Sequence, residues 1–267
     1  MVKTAICIPS YKNVITLQRL LDSVFKQTYR DFAVVITDDT DTNEVKMLVE
    51  SYHSPKLLYK KNERQLGPTA NCNEAIRYAQ SLNPDYIKVM HHDDFFTFEY
   101  SLEYLVDLLE KDKNAQIVFS GTIQVERDYS YERSISLEEA KELEKDYQYL
   151  YIANVIGGPS AVLVRNTGFY MDENLKWLVD LEWYMRIMQV NGSFAYTCAP
   201  LISTGIGAGQ LTNSCLQDPK LQMKEYKYVY EKFSGLHVKK YKKHLNNIIF
   251  QNKKMQLRHM IKRIIRG

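Results

Sequence analysis

Short, nearly unbroken apolar runs alternate along the first half of the chain with stretches in which apolar residues recur every three or four positions. Thr4-Ala5-Ile6-Cys7-Ile8 is the first run, and Pro9-Ser10-Tyr11 ends it, because proline has no N–H with which to continue a ladder. Leu17, Leu20, Leu21, Val24 and Phe25 then fall on one helical stripe, with Thr16 as the expected N-cap. Residues 32–37 form a second apolar run that stops at Asp38-Asp39-Thr40-Asp41. Val45, Leu48, Val49 and Tyr52 mark another helix, 57–59 a short strand, Gly67-Pro68 a turn, and 69–81 a further helix. Residues 86–90 make the next strand, which runs into His91-His92-Asp93-Asp94 and then Phe95-Phe96.

Strands without polar alternation are buried on both faces, which implies helices above and below them. The pattern therefore predicts an α/β fold with a mixed, mainly parallel sheet and helices on both faces. Right-handed crossovers set the strand ends at Ser10, Asp39 and Asp93 along one edge. Open sheets of this kind bind ligands outside the carboxyl ends of their strands.

The second half is less regular. It predicts a helix over 101–111, a strand over 116–120, and a charged, tyrosine-rich surface excursion over 126–148 with a helix at 137–147. Gly157-Gly158-Pro159-Ser160 reads as a turn into a strand at 161–164, followed by a helix over 177–189 and a strand over 194–197. Residues 1–215 read as one domain and 216–267 as a basic, amphipathic helical region.

Composition narrows the class. The 267 residues are 45% hydrophobic and 25% charged, enough apolar material for a core without staples. Cys7, Cys72, Cys198 and Cys215 show no metal or redox spacing, so reduced thiols and a cytoplasmic protein are expected. No apolar run has the length of a membrane span, and the start of the chain lacks a signal-type core. The net charge of +3 conceals an asymmetry: residues 220–267 hold 14 Lys/Arg against 2 Asp/Glu, whereas 1–219 are acidic. In the tail, Leu257, Met260, Ile261, Ile264 and Ile265 form one stripe and Arg258, Lys262, Arg263 and Arg266 the opposite face. That pattern suits either an anionic membrane surface, engaged through 245–267, or docking on protein. No nucleic-acid motif accompanies the charge, so nucleic acid is not an expected partner.

Three clusters carry candidate chemistry. A carboxylate at Asp38 or Asp39 can accept from a base N–H or a ribose hydroxyl, although an Asp in Asp-Thr-Asp-Thr also serves as a helix cap. At His91-His92-Asp93-Asp94, one well-placed carboxylate is a sufficient protein ligand for Mg²⁺ or Mn²⁺, which take their other ligands from water and phosphate. In Val179-Asp180-Leu181-Glu182-Trp183, a carboxylate opening a helix suits a general base, with the tryptophan as an apolar wall for a sugar face; capping is the plainer role. Gly205-Ile206-Gly207-Ala208-Gly209-Gln210 lacks the βαβ context of a dinucleotide loop and reads instead as a mobile lid.

Together these residues resemble glycosyltransferase family 2, the inverting enzymes of GT-A fold. The resemblance rests on the strand ending in Pro9-Ser10-Tyr11, the helix ending in Gln27-Thr28-Tyr29, the strand ending in Asp38-Asp39, and Met90 to Asp94 at the family's Asp-x-Asp-Asp. It extends more loosely through Ile156-Gly157-Gly158-Pro159-Ser160-Ala161 and Asp180-Leu181-Glu182-Trp183. The resemblance implies that Pro9, Ser10 and Tyr11 line the nucleoside, with Asp39, next to Asp38, in contact with the base. It also implies that Asp93 holds Mn²⁺ or Mg²⁺ against the diphosphate and that Asp180 deprotonates an acceptor hydroxyl. Two departures stand out: His91 replaces the family's first Asp, and Gly205 and Gly207 stand where an Arg-x-His often precedes Gln-x-Thr. The cation would then rely on Asp93 alone.

The expected activity is transfer of a sugar from a nucleotide diphosphate sugar, UDP-linked, to a hydroxyl of a growing surface glycan carried on a lipid. The expected location is the cytoplasm, at the inner face of the cell membrane. The rival readings are a non-catalytic nucleotide-sugar or glycan-binding domain and a sugar nucleotidyltransferase.

Overall fold

Strands β1 (Thr4–Ser10) and β2 (Phe32–Asp38) are buried along almost their whole length, as their continuous apolar sequence requires of central strands. Between them runs α1 (Val14–Phe25), which buries Leu17, Leu20, Leu21 and Val24. Its cap is Asn13, whose side chain accepts from the Thr16 N–H, so the helix starts earlier than the expected Thr16 cap. Lys12 and Asn13 both have positive φ, 58° and 43°, which turns the chain sharply after Tyr11.

The computed structural model describes residues 2–207 and 211–266, with side chains for 2–207 and 214–255. In chain order the next elements are α2 (Glu44–Ser51), β3 (Leu57–Lys61), α3 (Pro68–Gln80), β4 (Tyr86–Val89), β5 (Phe95–Phe96) and α4 (Ser101–Lys111). There follow β6 (Ile117–Val125), β7 (Ser130–Arg133), α5 (Leu137–Lys145), β8 (Val162–Arg165), α6 (Val179–Met188) and β9 (Phe194–Gly205). The chain closes with α7 (Leu211–Leu216), α8 (Pro219–Lys232) and α9 (Lys239–Arg266).

The strands form one sheet in the order β3-β2-β1-β4-β8-β6-β9-β5, with β7 added on β6. Pairings β3-β2, β2-β1 and β1-β4 are parallel; β8 enters antiparallel beside β4, and β6-β9 is parallel again. Two apolar clusters cover the two faces: one holds α1 and α4 against Ile6, Ile8 and Val34, the other holds α3, α6 and α8 against Cys7, Ile87 and Phe119. The α/β class and its two-faced helical cover are as the pattern predicts.

Several elements depart from it. The excursion after 125 is partly a hairpin, with β7 paired to β6 from Thr122–Arg133 to Val125–Ser130. β9 does not stop at 197; it continues to Gly205, with register shifts around Gly121, where a Cβ would meet the Cys198 carbonyl oxygen. Gly205 and Gly207 therefore end and follow a strand, and the rest of the expected lid, 208–210, lies outside the described residues.

The expected division at 215 falls inside α7, and α8 packs into the main core through Tyr226 and Val229. Tyr151 stands among Tyr226, Tyr241 and His244, which ties α9 to the same body. The apolar stripe from Leu257 to Ile265 belongs to residues whose side chains are not described. No helix of the described residues is long and apolar enough to cross a membrane.

Candidate active site

The ends of β1, β2 and β3 and the start of α3 are joined by a buried polar chain. Asp39 Oδ1 accepts from Asn62 Nδ2 at 2.6 Å, and Asp39 Oδ2 accepts from the N–H groups of Leu66 and Gly67 at 3.0 and 2.8 Å. Asn62 also donates to Asn71 Oδ1 at 2.8 Å, and Asn71 donates to the Ser10 carbonyl at 3.1 Å. Gly67 has φ 87°, a conformation that favours glycine and lets two successive N–H groups turn onto one carboxylate oxygen. Asp39 thus fixes the loop before α3, with lone pairs left for one more donor.

Asp38 is wholly buried and faces into the sheet: Thr40 N–H and Tyr59 OH each donate to it at 2.8 Å, with Lys61 Nζ 3.6 Å away. The Tyr59 hydroxyl is held well above its ordinary pKa by burial and by that carboxylate. Ser10 is also fully buried, and its Oγ has no hydrogen-bond partner among the described residues. Tyr11 is 39% exposed at the lip of the same edge, with Lys12 Nζ 4.9 Å from its ring centre.

One strand further on, a turn closed by the Asp94 N–H to the His91 carbonyl (3.1 Å) gathers His91, Asp93 and Asp94. One potential ligand atom from each lies within 4.8 Å of the others. Ser160 stands beneath this turn: its Oγ accepts from the His91 N–H at 2.9 Å and bonds the Asp94 carboxyl, while its carbonyl accepts from Lys88 Nζ. Gly205 N–H donates to Asp94 Oδ1 at 3.1 Å, and Arg19 Nη2 donates to the Asp93 carbonyl at 2.6 Å. His92 points back, donating from its ring to the Pro9 carbonyl, so it joins β1 to β4 and is not part of the acidic group.

Burial dominates the electrostatics here. It pushes the Asp94 carboxyl up to about 6, with the neighbouring Asp93 charge adding to the rise and His91 opposing it. Lys88, fully buried below, is pushed down to about 7 by desolvation, with Asp94 as the opposing charge. Two crowded carboxylates and an imidazole form a donor set that suits Mn²⁺ or Mg²⁺, since a divalent ion relieves the repulsion that burial magnifies. The group contains Asp93, the single ligand expected from sequence, and brings the His91 imidazole and the Asp94 carboxyl close to it.

Asp180 is the second residue of α6 and is only partly exposed. Burial pushes its carboxyl up to about 6, and the one opposing influence is His91, which puts Asp180 within electrostatic reach of the acidic turn. Two devices hold α6. Glu225 of α8, 1% exposed, accepts from the N–H groups of Lys176, Trp177 and Leu178 at 2.8, 3.0 and 2.9 Å, and so supplies the missing cap. Glu182, fully buried, pairs with Arg186 at 2.5 Å and with Lys232 of α8 at 2.8 Å. Trp183 does not form the expected wall for a sugar. It is 2% exposed and donates its indole N–H to the Phe169 carbonyl at 3.1 Å, because its position on α6 turns toward the core.

The structure thus places Pro9, Ser10, Asp39 and Asp93 at one edge of the sheet, with Tyr11 at its lip and Asp38 behind it; Asp180 lies at the start of α6, within electrostatic reach of His91. Lys88, Asn71 and Glu225 are additions, and Ser160 gains a role beyond its turn. Lys88 lies inside an apolar strand, and Glu225 lies nearly fifty positions from the backbone it caps. A separate cavity of about 320 Å³, lined by Asn73, Arg77, Asp172, Arg186 and Lys232 among others, contains none of the candidate site residues.

The family model for glycosyl transferase family 2 matches residues 5–173, well over half of the chain, so the protein belongs to that family. It is a glycosyltransferase that takes its sugar from a nucleotide sugar. Among curated relatives, an uncharacterized glycosyltransferase of Rickettsia prowazekii is 23% identical over 236 residues, covering 86% of this chain and 70% of its own. An uncharacterized glycosyltransferase of Haemophilus influenzae is 23% identical over 191 residues, covering 69% of this chain and 62% of its own. Among solved structures, residues 1–349 of S. aureus TarS in complex with UDP-GlcNAc superpose with TM-score 0.68 at 17% identity, covering 95% of this chain and 72% of that one. The mannosyltransferase PcManGT from Pyrobaculum calidifontis, in complex with GDP-Man and Mn²⁺, gives TM-score 0.56 at 14% identity, covering 95% and 73%. These likenesses establish the fold, GT-A in type.

Proposed function

We propose that this chain is an inverting glycosyltransferase that moves a sugar from a UDP-linked donor to a hydroxyl of a growing, lipid-linked surface glycan. The observation that carries this reading is the gathering of His91, Asp93 and Asp94 in one turn, with the Asp180 carboxyl, pushed up to about 6 by burial, within electrostatic reach of His91. An inverting transfer needs two things facing one cavity. One is a group that takes the acceptor proton; the other is a site that tolerates negative charge on the departing nucleoside diphosphate.

In this proposal Pro9, Ser10 and Tyr11 line the nucleoside. Asp39 accepts from the base, and Asp38 holds the turn behind it. Asp93, with His91 and Asp94, holds Mn²⁺ or Mg²⁺; when bound, that ion supplies positive charge to the diphosphate oxygens. Asp180 orients the acceptor hydroxyl and takes its proton as the oxygen closes on the anomeric carbon from the face opposite the nucleotide. A carboxyl at about 6 is ionised at neutral pH yet more basic than an exposed one, which suits that role. The bound UDP-GlcNAc of the TarS complex and the GDP-Man and Mn²⁺ of the PcManGT complex support the donor class and the metal. The basic 216–267 region, and 245–267 in particular, would hold the enzyme at the anionic inner face of the cell membrane, where a lipid-linked acceptor lies.

Asp180→Asn tests the catalytic part. Radiolabelled UDP-sugars are incubated with wild type or variant and a bacterial cell-envelope lipid extract. Transfer of label by the wild type and its loss in Asp180→Asn, with donor binding unchanged, supports the assignment. Equal transfer by both removes Asp180 as the base, and no donor consumption by either favours a binding module.

A further inference from the structure

The hairpin β6–β7 stands at the same edge as the candidate site. The Ile206 N–H, one residue past Gly205, donates to the Val125 carbonyl at 2.8 Å, and Gly205 itself abuts the Asp93 carbonyl. Beyond Val125 the chain turns, with the Glu126 N–H bonded to the Tyr129 carbonyl at 2.9 Å, and returns as β7. Side chains alternate along a strand, so Tyr129, Tyr131 and Arg133 share one face. The two tyrosine rings are 59% and 47% exposed, with centroids 6.2 Å apart and planes 21° from parallel. Tyr129 OH is held by the Glu126 carboxylate, which orients the ring.

Arg133 connects the hairpin to the element that carries Asp180. Arg133 Nη2 donates to the Asn154 carbonyl at 2.6 Å, and its guanidinium fills the space that a Cβ on Gly157 would need. The Gly157 carbonyl accepts from Tyr184 OH at 3.2 Å, and Tyr184 lies one helical turn after Asp180, whose charge acts on its hydroxyl. Arg133, Gly157 and Tyr184 thus tie the hairpin to the start of α6 through contacts inside the protein, since Tyr184 is fully buried, while Tyr129 and Tyr131 stay exposed at the outer end. Tyrosine suits a sugar platform there: each ring offers a flat apolar face for sugar C–H groups and a hydroxyl for sugar hydroxyls.

We propose that Tyr129 and Tyr131 form an outer acceptor subsite, a platform on which a saccharide unit packs several sugars away from the one that offers its hydroxyl to Asp180. This rests on the transferase reading and extends it: the acceptor is an oligosaccharide chain read over more than its terminal sugar. Arg133 is a positioning residue that holds the 154–157 loop between platform and base.

The test is binding of the full chain to an array of α- and β-linked oligosaccharides, two to six sugars long, of glucose, galactose, mannose and N-acetylglucosamine. Nucleotide binding is titrated in parallel, with UDP and Mn²⁺. The Tyr129→Ala/Tyr131→Ala variant loses at least about ten-fold in affinity for the glycans that the wild type retains. Tyr129→Phe/Tyr131→Phe keeps most of it, and both variants bind UDP as the wild type does. Equal glycan binding by the alanine variant overturns the subsite, as does a wild type that binds UDP but none of the oligosaccharides. A change in solution mass without a change in glycan binding also overturns it and makes the face a protein interface. Failure of UDP binding in the wild type is a separate result, which removes the transferase reading beneath.

Discussion

A Cβ placed on Gly205 would stand 2.7 Å from the carbonyl oxygen of Asp93, so the end of β9 and the acidic turn touch with no room for a side chain between them. The same glycine donates its N–H to Asp94, and Arg19 holds the Asp93 carbonyl from the other side. The turn that would hold the metal is therefore shaped by β9 and α1 as much as by its own sequence.

Gly205→Ala must displace that turn. It is expected to cost about 1–3 kcal/mol of stability, as overpacking does, and to weaken Mn²⁺-dependent nucleotide binding by about ten-fold. Gly207→Ala, with open space around its Cβ position, leaves both unchanged. Thermal melts and calorimetry on the two variants make the comparison.

Asp180 carries a pH signature of definite sign. Its folded carboxyl titrates at about 6 against an ordinary 3.8, so the native state keeps a proton that the unfolded chain has already released. Stability contributed at this position is therefore lost as pH rises from about 4 to about 6, and the penalty persists above that. Asp180→Asn is expected to be more stable than wild type by about 1–3 kcal/mol at pH 7.5 and no more stable at pH 4. Urea melts at the two pH values read the difference. Transfer activity of the wild type falls below about pH 6, as the base becomes protonated.

Glu225 links the C-terminal helices to the catalytic edge. Replacing it by alanine strands the N–H groups of residues 176–178 at the start of α6 and costs about 3 kcal/mol, which lowers the melting temperature by roughly 6–12 °C. A chain ending at 216 loses this cap together with Tyr226, Val229 and the Lys232 partner of Glu182, and is expected to be insoluble. Differential scanning fluorimetry on Glu225→Ala and the soluble yield of the truncated chain test this.

Asp39 is expected to act on stability as well as on ligand. Asp39→Ala frees three donors and loosens the loop before α3, costing about 3 kcal/mol as judged by chemical denaturation. Loss of nucleotide binding in that variant reports on the loop as well as on the base contact.

The parts of this arrangement that were legible in the sequence are those set by local pattern. Unbroken apolar runs at β1 and β2, and a run at β4 interrupted only by Lys88, mark strands covered on both sides, and the polar residues that end them mark the ligand edge. What escaped reading is set by contacts between distant segments. β7 is an edge strand with a polar, exposed sequence, and β9 runs on through Pro200 to a glycine that looks like a loop residue. Trp183 reads from sequence as a sugar platform, and only the turn of α6, which buries it, shows that it belongs to the core. Lys88 lies in an apolar run, and its amine is accommodated only because the Ser160 carbonyl, 72 positions away, accepts from it. Ser160 stands in a stretch whose pattern marks a turn but not a bond to Asp94, and Glu225 has no local signature at all.

The most direct test of the central claim is calorimetric titration of the protein with UDP, dTDP, GDP and CDP, each in Mn²⁺ and in EDTA, repeated on Asp93→Asn. UDP is expected to bind in Mn²⁺, EDTA to abolish or strongly weaken this binding, and Asp93→Asn to remove the dependence on metal. Absence of binding by all four nucleotides under both conditions would contradict the claim, leaving the acidic strand ends as structural groups alone.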